Sequence, residues 1–363
     1  MLRQRGSVHA GAAGDVARGA GAQARAAPRR GPAGRGDRES RLRDAARRRA
    51  PRRRRARHGV PPRRAAGRVV RRRRPLRVTA RRIVTADGVH LALHRLREST
   101  GRPAVLCVHG AFCSHTAWLR VRGGGGGGLA DLLDARGYDV WLADLRHHGA
   151  SEREPKPRTW RFEDCILGDA PALVAHVAAE TNGAPLAWIG HSFGSVIGLC
   201  WLARQETPPP EVKAVVALGT PGPGGMSLRR RVLALGTILL ARLLGRLPAR
   251  AMRLGPEDEA AHIIGDWMGW NVRGRWLGRD GFDYFAALPR LRTPMLAVAG
   301  EGDHLMAPPF ACREVLEKVG AARKKFLVGG PHLDHAGLLI DLKARERCWP
   351  AMADWLDATL PRA

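Results

Sequence analysis

The chain has 363 residues and a formal net charge of +29, enough length for one large domain or two of ordinary size. Spread evenly, that charge would suggest a nucleic-acid-binding domain. Instead residues 1–82 hold 28 Arg, no Lys and four acidic side chains, whereas the other 281 hold 34 basic and 29 acidic ones, so the body is an ordinary near-neutral domain and a cationic-binder fold is excluded for it.

Residues 1–80 are expected to form a disordered, Arg-rich extension: few large apolar side chains are present to offset the entropy of ordering. Its arginine runs would attract polyanions, so a nucleic-acid or anionic-membrane arm is the functional reading. A solvated tail without a selected role, or a mis-assigned translation start, fits its Arg-Ala-Gly-Pro monotony better. The first twenty residues lack the apolar core of a secretory signal, and no apolar run reaches the roughly 18 residues of a spanning helix. Six scattered cysteines without a CxxC pair read as reduced thiols. A cytoplasmic protein is expected.

Beyond the extension, RRIVTADGVHLALHRLRE (81–98) alternates apolar and polar residues about Asp87-Gly88, which predicts a hairpin. AVLCVHG (104–110) and YDVWLADLR (138–146) are short continuous apolar runs, as in strands covered on both faces, with a helix at 129–137 between them. A helix over 165–180, a strand at 186–190, a helix over 195–205 and a strand at 212–219 continue the alternation. Strands at 293–303 and 324–330 and a closing helix at 347–360 complete it. This series predicts an α/β fold: a mostly parallel sheet with helices on both faces and an antiparallel hairpin at one edge. Residues 81–221 and 291–363 would form the core and 222–290 a helical cap over the carboxyl edge of the sheet, where open α/β folds bind ligands. Gly123–Gly128 lack the Lys-Ser/Thr of a phosphate loop and read as a flexible insertion.

Residues 190–194, Gly-His-Ser-Phe-Gly, match G-x-S-x-G between a buried strand and a helix. A tight strand-to-helix turn holds such a serine out for attack, with flanking glycines relieving crowding. The hydroxyl needs a base, and the base an orienting acid. Asp303 follows the strand ending AGEGD, and His332 and His335 follow the next one. All leave the edge that carries Ser192.

These stretches, with VHGAF, RGYDVWLADLR and GHSFGSVIG, make the chain resemble the α/β-hydrolase-fold serine hydrolases, and within them the acid lipase branch and its bacterial relatives. The resemblance spans about residues 82–360. It departs from the wider pattern at residues 147–149, His-His-Gly, and at Ser195, where a second glycine is common. The resemblance implies Ser192 as nucleophile and Asp303 as acid. For the base, HLD at 332–334 matches the acid lipase histidine motif by letters, but counting back from the closing helix gives His335 the family spacing. His335 is expected to be the base, with His332 as the alternative. Backbone N–H groups of Ala111 and Phe193 would form the oxyanion hole, and Phe112 would line the acyl pocket. His109, His147, His148 and His191 are expected to be structural, and neither a metal nor an organic cofactor is implied.

The expected activity is hydrolysis of carboxylic esters with apolar or lipid-like acyl groups. Acyltransferases and thioesterases use the same triad. A non-catalytic protein whose basic tail grips nucleic acid is the alternative of another class. Apolar blocks at 229–248 and the tryptophans of 266–276 suggest a cap suited to acyl chains or to peripheral membrane contact.

Overall fold

The computed structural model describes residues 78–98, 101–124, 126–154, 159–224 and 227–360. The Arg-rich extension lies outside them up to residue 77, as does Gly125. Eight strands form one sheet: β1 (Thr79–Val84), β2 (His90–Arg95), β3 (Ala104–Val108), β4 (Asp139–Asp144), β5 (Leu186–His191), β6 (Val212–Leu218), β9 (Met295–Gly300) and β10 (Lys324–Gly329). Their order is β1-β2-β4-β3-β5-β6-β9-β10. The expected hairpin pairs β1 with β2, β2 is antiparallel to β4, and every later pairing is parallel.

Side chains two apart on a strand share a face, and the core divides accordingly. Leu106, Val108, Trp188, Val215 and Ala217 face one apolar cluster, and Val105, Cys107, Ile189, Ala214 and Val216 face the other. Against the second pack α1 (Leu129–Ala135) and the C-terminal helices α9 (Gly337–Ile340) and α10 (Trp349–Asp357); against the first pack α3 (Ala170–Glu180) and α4 (Phe193–Arg204). Helix α4 is buried from Phe193 to Ala203, which is why its sequence is apolar all round. A helix not read from the sequence, α8 (Pro309–Lys318), connects β9 to β10.

Two helices start differently from expectation. The segment read as 165–180 begins with a single turn, α2 (Phe162–Asp164), and passes through a π-helical stretch, Cys165–Asp169, before α3. A second π stretch, Ala344–Cys348, precedes α10. In each case a proline, Pro171 or Pro350, stands second in the following helix. Proline has no N–H to donate, and the turn ahead of it widens to an i→i+5 bond.

Between β6 and β9 lie α5 (Leu228–Leu244), α6 (Ala261–Arg273) and α7 (Tyr284–Ala287). The stretch is not wholly helical: β7 (Arg246–Leu247) and β8 (Glu259–Ala260) form a short antiparallel ladder. Trp267, Trp270 and Trp276 do not form an exposed surface. They are buried, with Trp267 tilted against Phe162, Trp270 edge-on to it, and Trp276 against Trp270 and Phe285. The glycine run is open at Gly123 and Gly124, where a Cβ would meet nothing within 4 Å, and tight at its end. A Cβ at Gly128 would sit 2.2 Å from the Trp118 carbonyl oxygen, and one at Gly127 2.2 Å from the Asp131 carboxyl carbon. The backbone contact at Gly128 needs glycine for close packing, whereas at Gly127 the Asp131 side chain would have to move.

A buried ion pair ties the 145–149 loop to this inserted region. His148 Nε2 lies 3.2 Å from Glu259 Oε2, and its Nδ1 lies 2.9 Å from the Arg146 carbonyl. Burial opposes charge on both partners, but their mutual attraction outweighs it: the His148 pKa is raised and the Glu259 pKa lowered. A raised histidine stabilises fully below its unfolded value, about 6.5, and loses that contribution as pH climbs through the folded value. A lowered glutamate stabilises above about 4.5 and loses that contribution as pH falls through its folded value. The pair is therefore strongest between about pH 4.5 and 6.5. The melting temperature should fall on raising the pH from 6.5 towards 9, and Glu259→Gln should flatten that slope in a pH series of thermal melts.

Candidate active site

Ser192 sits where β5 gives way to α4, with φ 52° and ψ −114°, a backbone conformation that L-residues rarely adopt. The turn is held by the Ser192 N–H on the Leu218 carbonyl at 2.9 Å and by Ser195, whose N–H reaches the Ser192 carbonyl at 3.0 Å. It is also too tight for side chains on either flank. A Cβ at Gly190 would lie 2.3 Å from the Ser195 nitrogen, and one at Gly194 2.1 Å from the Val108 carbonyl oxygen. Ser195, the departure from a second glycine, turns its hydroxyl onto the Gly190 carbonyl at 2.7 Å and so braces the same turn.

Asp303 follows β9. Its two carboxylate oxygens accept the N–H groups of Met306 and Ala307, both at 2.9 Å, and Oδ2 lies 2.7 Å from His335 Nδ1. Burial alone would raise its pKa. The His335 contact and the two amides outweigh it, and the carboxyl stays below its ordinary value. With Nδ1–H given to Asp303, Nε2 of His335 carries the lone pair. His332, the alternative, is exposed on the same loop. That loop closes on β9 through glycines: a Cβ at Gly300 would lie 2.2 Å from the Leu333 carbonyl oxygen.

Ser192 is joined to this pair through its neighbours. His191, one residue before it, places Nε2 3.0 Å from the His335 carbonyl oxygen, and the two rings are 4.9 Å apart. Gly219 follows Leu218, the residue that holds the Ser192 amide, and a Cβ there would meet the His335 ring at 3.2 Å. Because strands β5, β6, β9 and β10 are consecutive in the sheet, the three side chains leave one edge.

Residues 109–112 lie against the same turn. A Cβ at Gly110 would be 2.9 Å from the Ser192 Cβ. His109 Nδ1 lies 2.8 Å from the Gly110 carbonyl, and its Nε2 accepts the Leu145 N–H at 3.1 Å, which fixes its tautomer and the shape of the loop. Burial lowers the His109 pKa to about 4 and the His191 pKa to about 3, so neither is a useful proton acceptor at neutral pH. Ala111 is half-buried. Phe112 is held at φ 62° and its carbonyl accepts the Glu257 N–H at 3.0 Å. Phe193 opens α4, with its ring 5.0 Å from Phe162 and 5.1 Å from Trp267. A groove of about 270 Å³, walled by Cys113, Val121, Pro256, Leu339 and Ile340, reaches His191 and Ala336, the neighbours of Ser192 and His335.

One cluster was not read from the sequence. His94 and His115 stack 3.7 Å apart and both contact the buried Asp144 carboxylate at 2.9 Å. The three lie close enough to share a metal ion. However, Asp144 also accepts the N–H groups of His115 and Ala150 at 2.7 and 3.0 Å, so its lone pairs are occupied and the cluster is a self-satisfied strut. No spacing flagged it, because its members come from β2, β4 and the 3-10 turn His115–Leu119 after β3.

Comparisons with known proteins agree with this architecture. A family model described as the alpha/beta hydrolase fold matches residues 103–235. Mouse lipase member N is 30% identical over 151 residues, covering 38% of this chain and 37% of that lipase. Rat gastric triacylglycerol lipase is 29% identical over 150 residues, covering 38% of each chain. The chain thus spans little more than a third of the length of these relatives. A thermophilic esterase from Thermogutta terrifontis superposes with a TM-score of 0.56 at 17% identity, over 78% of this chain and 100% of that one. An esterase from Exiguobacterium antarcticum gives 0.56 at 15% identity, over 77% and 100%.

Proposed function

We propose that this α/β-hydrolase-fold chain, similar in sequence to acid lipases and in architecture to bacterial esterases, hydrolyses carboxylic esters through Ser192, His335 and Asp303. The observation that carries the reading is the 2.7 Å contact between His335 and Asp303, on the sheet edge that also bears the strained Ser192 turn. His335 Nε2 accepts the Ser192 proton as the hydroxyl attacks the ester carbonyl. Asp303 holds the imidazole in the required tautomer and stabilises the cation that forms. The oxyanion is met by the N–H groups of Ala111 and Phe193, where losing one donor typically costs roughly 10²–10³ in rate. His335 then protonates the departing alcohol, and the same nitrogen activates the water that releases the acid.

The substrate is an ester with an apolar acyl chain of short to medium length. The groove beside His191 and Ala336 has a volume of about 270 Å³, space for roughly nine water-sized groups, and its walls are mostly apolar. A p-nitrophenyl ester series tests this: kcat/KM should peak between butyrate and octanoate and fall towards palmitate. Equal turnover of all lengths, or a rise to palmitate, would contradict the groove assignment. No turnover of any ester would contradict the activity itself.

A further inference from the structure

Of the two expectations for the apolar block, acyl-chain lining and peripheral membrane contact, α5 does not serve the first: none of its residues walls the groove beside His191. Of its 17 residues only Ala234 and Ala241 are buried. Eight leucine and valine side chains stand exposed, among them Leu228 at 79%, Leu233 at 64% and Leu243 at 71%. Folded proteins rarely leave such a contiguous apolar surface uncovered unless something binds it.

The charge around the helix says what does. From Ser227 to Pro256 there are seven arginines and no aspartate or glutamate. Among the described residues Arg229, Arg231, Arg250 and Arg253 take part in no ion pair. A second copy of this chain would set that predominantly positive surface, on which Asp258 offsets Arg246, against itself in a symmetric contact, at a repulsive cost. The chain's own N-terminal extension is excluded on the same ground, being the most Arg-rich part of the sequence. We infer that α5 docks flat on an anionic lipid bilayer, its leucines in the acyl boundary and its flanking arginines at the headgroups. The orientation is interfacial, since no helix among the described residues is long and apolar enough to cross a membrane. Arg230 bonds the His304 carbonyl, so the exposed Leu305 and Met306, next to Asp303, lie beside the first turn of α5. The docked face is thereby continuous with the loop carrying the proposed catalytic acid.

The test uses the full chain with an environment-sensitive fluorophore on Leu239→Cys. Leu342→Cys serves as an exposed apolar control, and the wild-type chain treated alike gives the background of the native thiols. Vesicles contain phosphatidylcholine with or without phosphatidylglycerol. The Leu239 probe should brighten and shift to the blue on phosphatidylglycerol vesicles, the Leu342 probe should not respond, and Arg229→Gln with Arg231→Gln should weaken binding read by the Leu239 probe about thirtyfold. Thermal melts confirm that the variants fold. A silent Leu239 probe, an equal response at Leu342, or a response to rising protein concentration without lipid would overturn the proposal, the last in favour of a second copy. Turnover of a soluble ester is read on the same samples, so a failure of docking is distinct from a failure of hydrolysis.

Discussion

Replacing Ser192 with alanine should lower kcat on p-nitrophenyl esters by about 10⁶-fold while leaving the protein folded. The hydroxyl supplies the bond-forming atom, and the neighbouring His191 and His109 are buried and too weakly basic, their pKa values lowered to about 3 and 4, to stand in for it. The backbone at this position carries a second expectation. A residue at φ 52° with ψ −114° lies in a region natural to glycine and strained for others, at about 1–3 kcal/mol. Ser192→Gly should therefore be as inactive as Ser192→Ala yet more stable by about 1 kcal/mol. Chemical denaturation of the three proteins measures this. A less stable Ser192→Gly would mean that the turn is not strained.

The histidine pair supplies the next large effect. His335→Ala should cost on the order of 10⁴–10⁶ in kcat, whereas His332→Ala should retain most of the wild-type rate. Only His335 is within hydrogen-bond reach of Asp303, and its backbone is pinned by His191. His332 is exposed one residue before Leu333, whose buried side chain turns the loop inward. Steady-state kinetics of the two variants decides between them, and a collapse in His332→Ala with survival of His335→Ala would reverse the assignment.

Much of the framework is legible in the amino-acid sequence. The apolar runs at Ala104–Val108 and Asp139–Asp144 marked strands covered on both faces, and Gly190 and Gly194 marked a turn too tight for side chains. Chain order then directed attention to Asp303 and the following histidines. What stayed hidden depends on contacts between distant segments. The π-helical stretches need Pro171 and Pro350 to be seen inside helices. The Trp267, Trp270 and Trp276 cluster looks like a lipid-facing surface until Phe162 and Phe193 are placed against it. The leucines of α5 have the composition of a core helix, and only the alanine stripe on which it rests reveals that they point outward. Glu259 and His148 are 111 positions apart, and nothing local marks them as partners.

The most direct test of the central claim is the site of covalent modification by a fluorophosphonate. Peptide mass spectrometry should find a single adduct on Ser192, with labelling slowed by orders of magnitude in His335→Ala. An adduct elsewhere, or labelling of Ser192 at an unchanged rate without His335, would contradict the proposal that this histidine activates this serine.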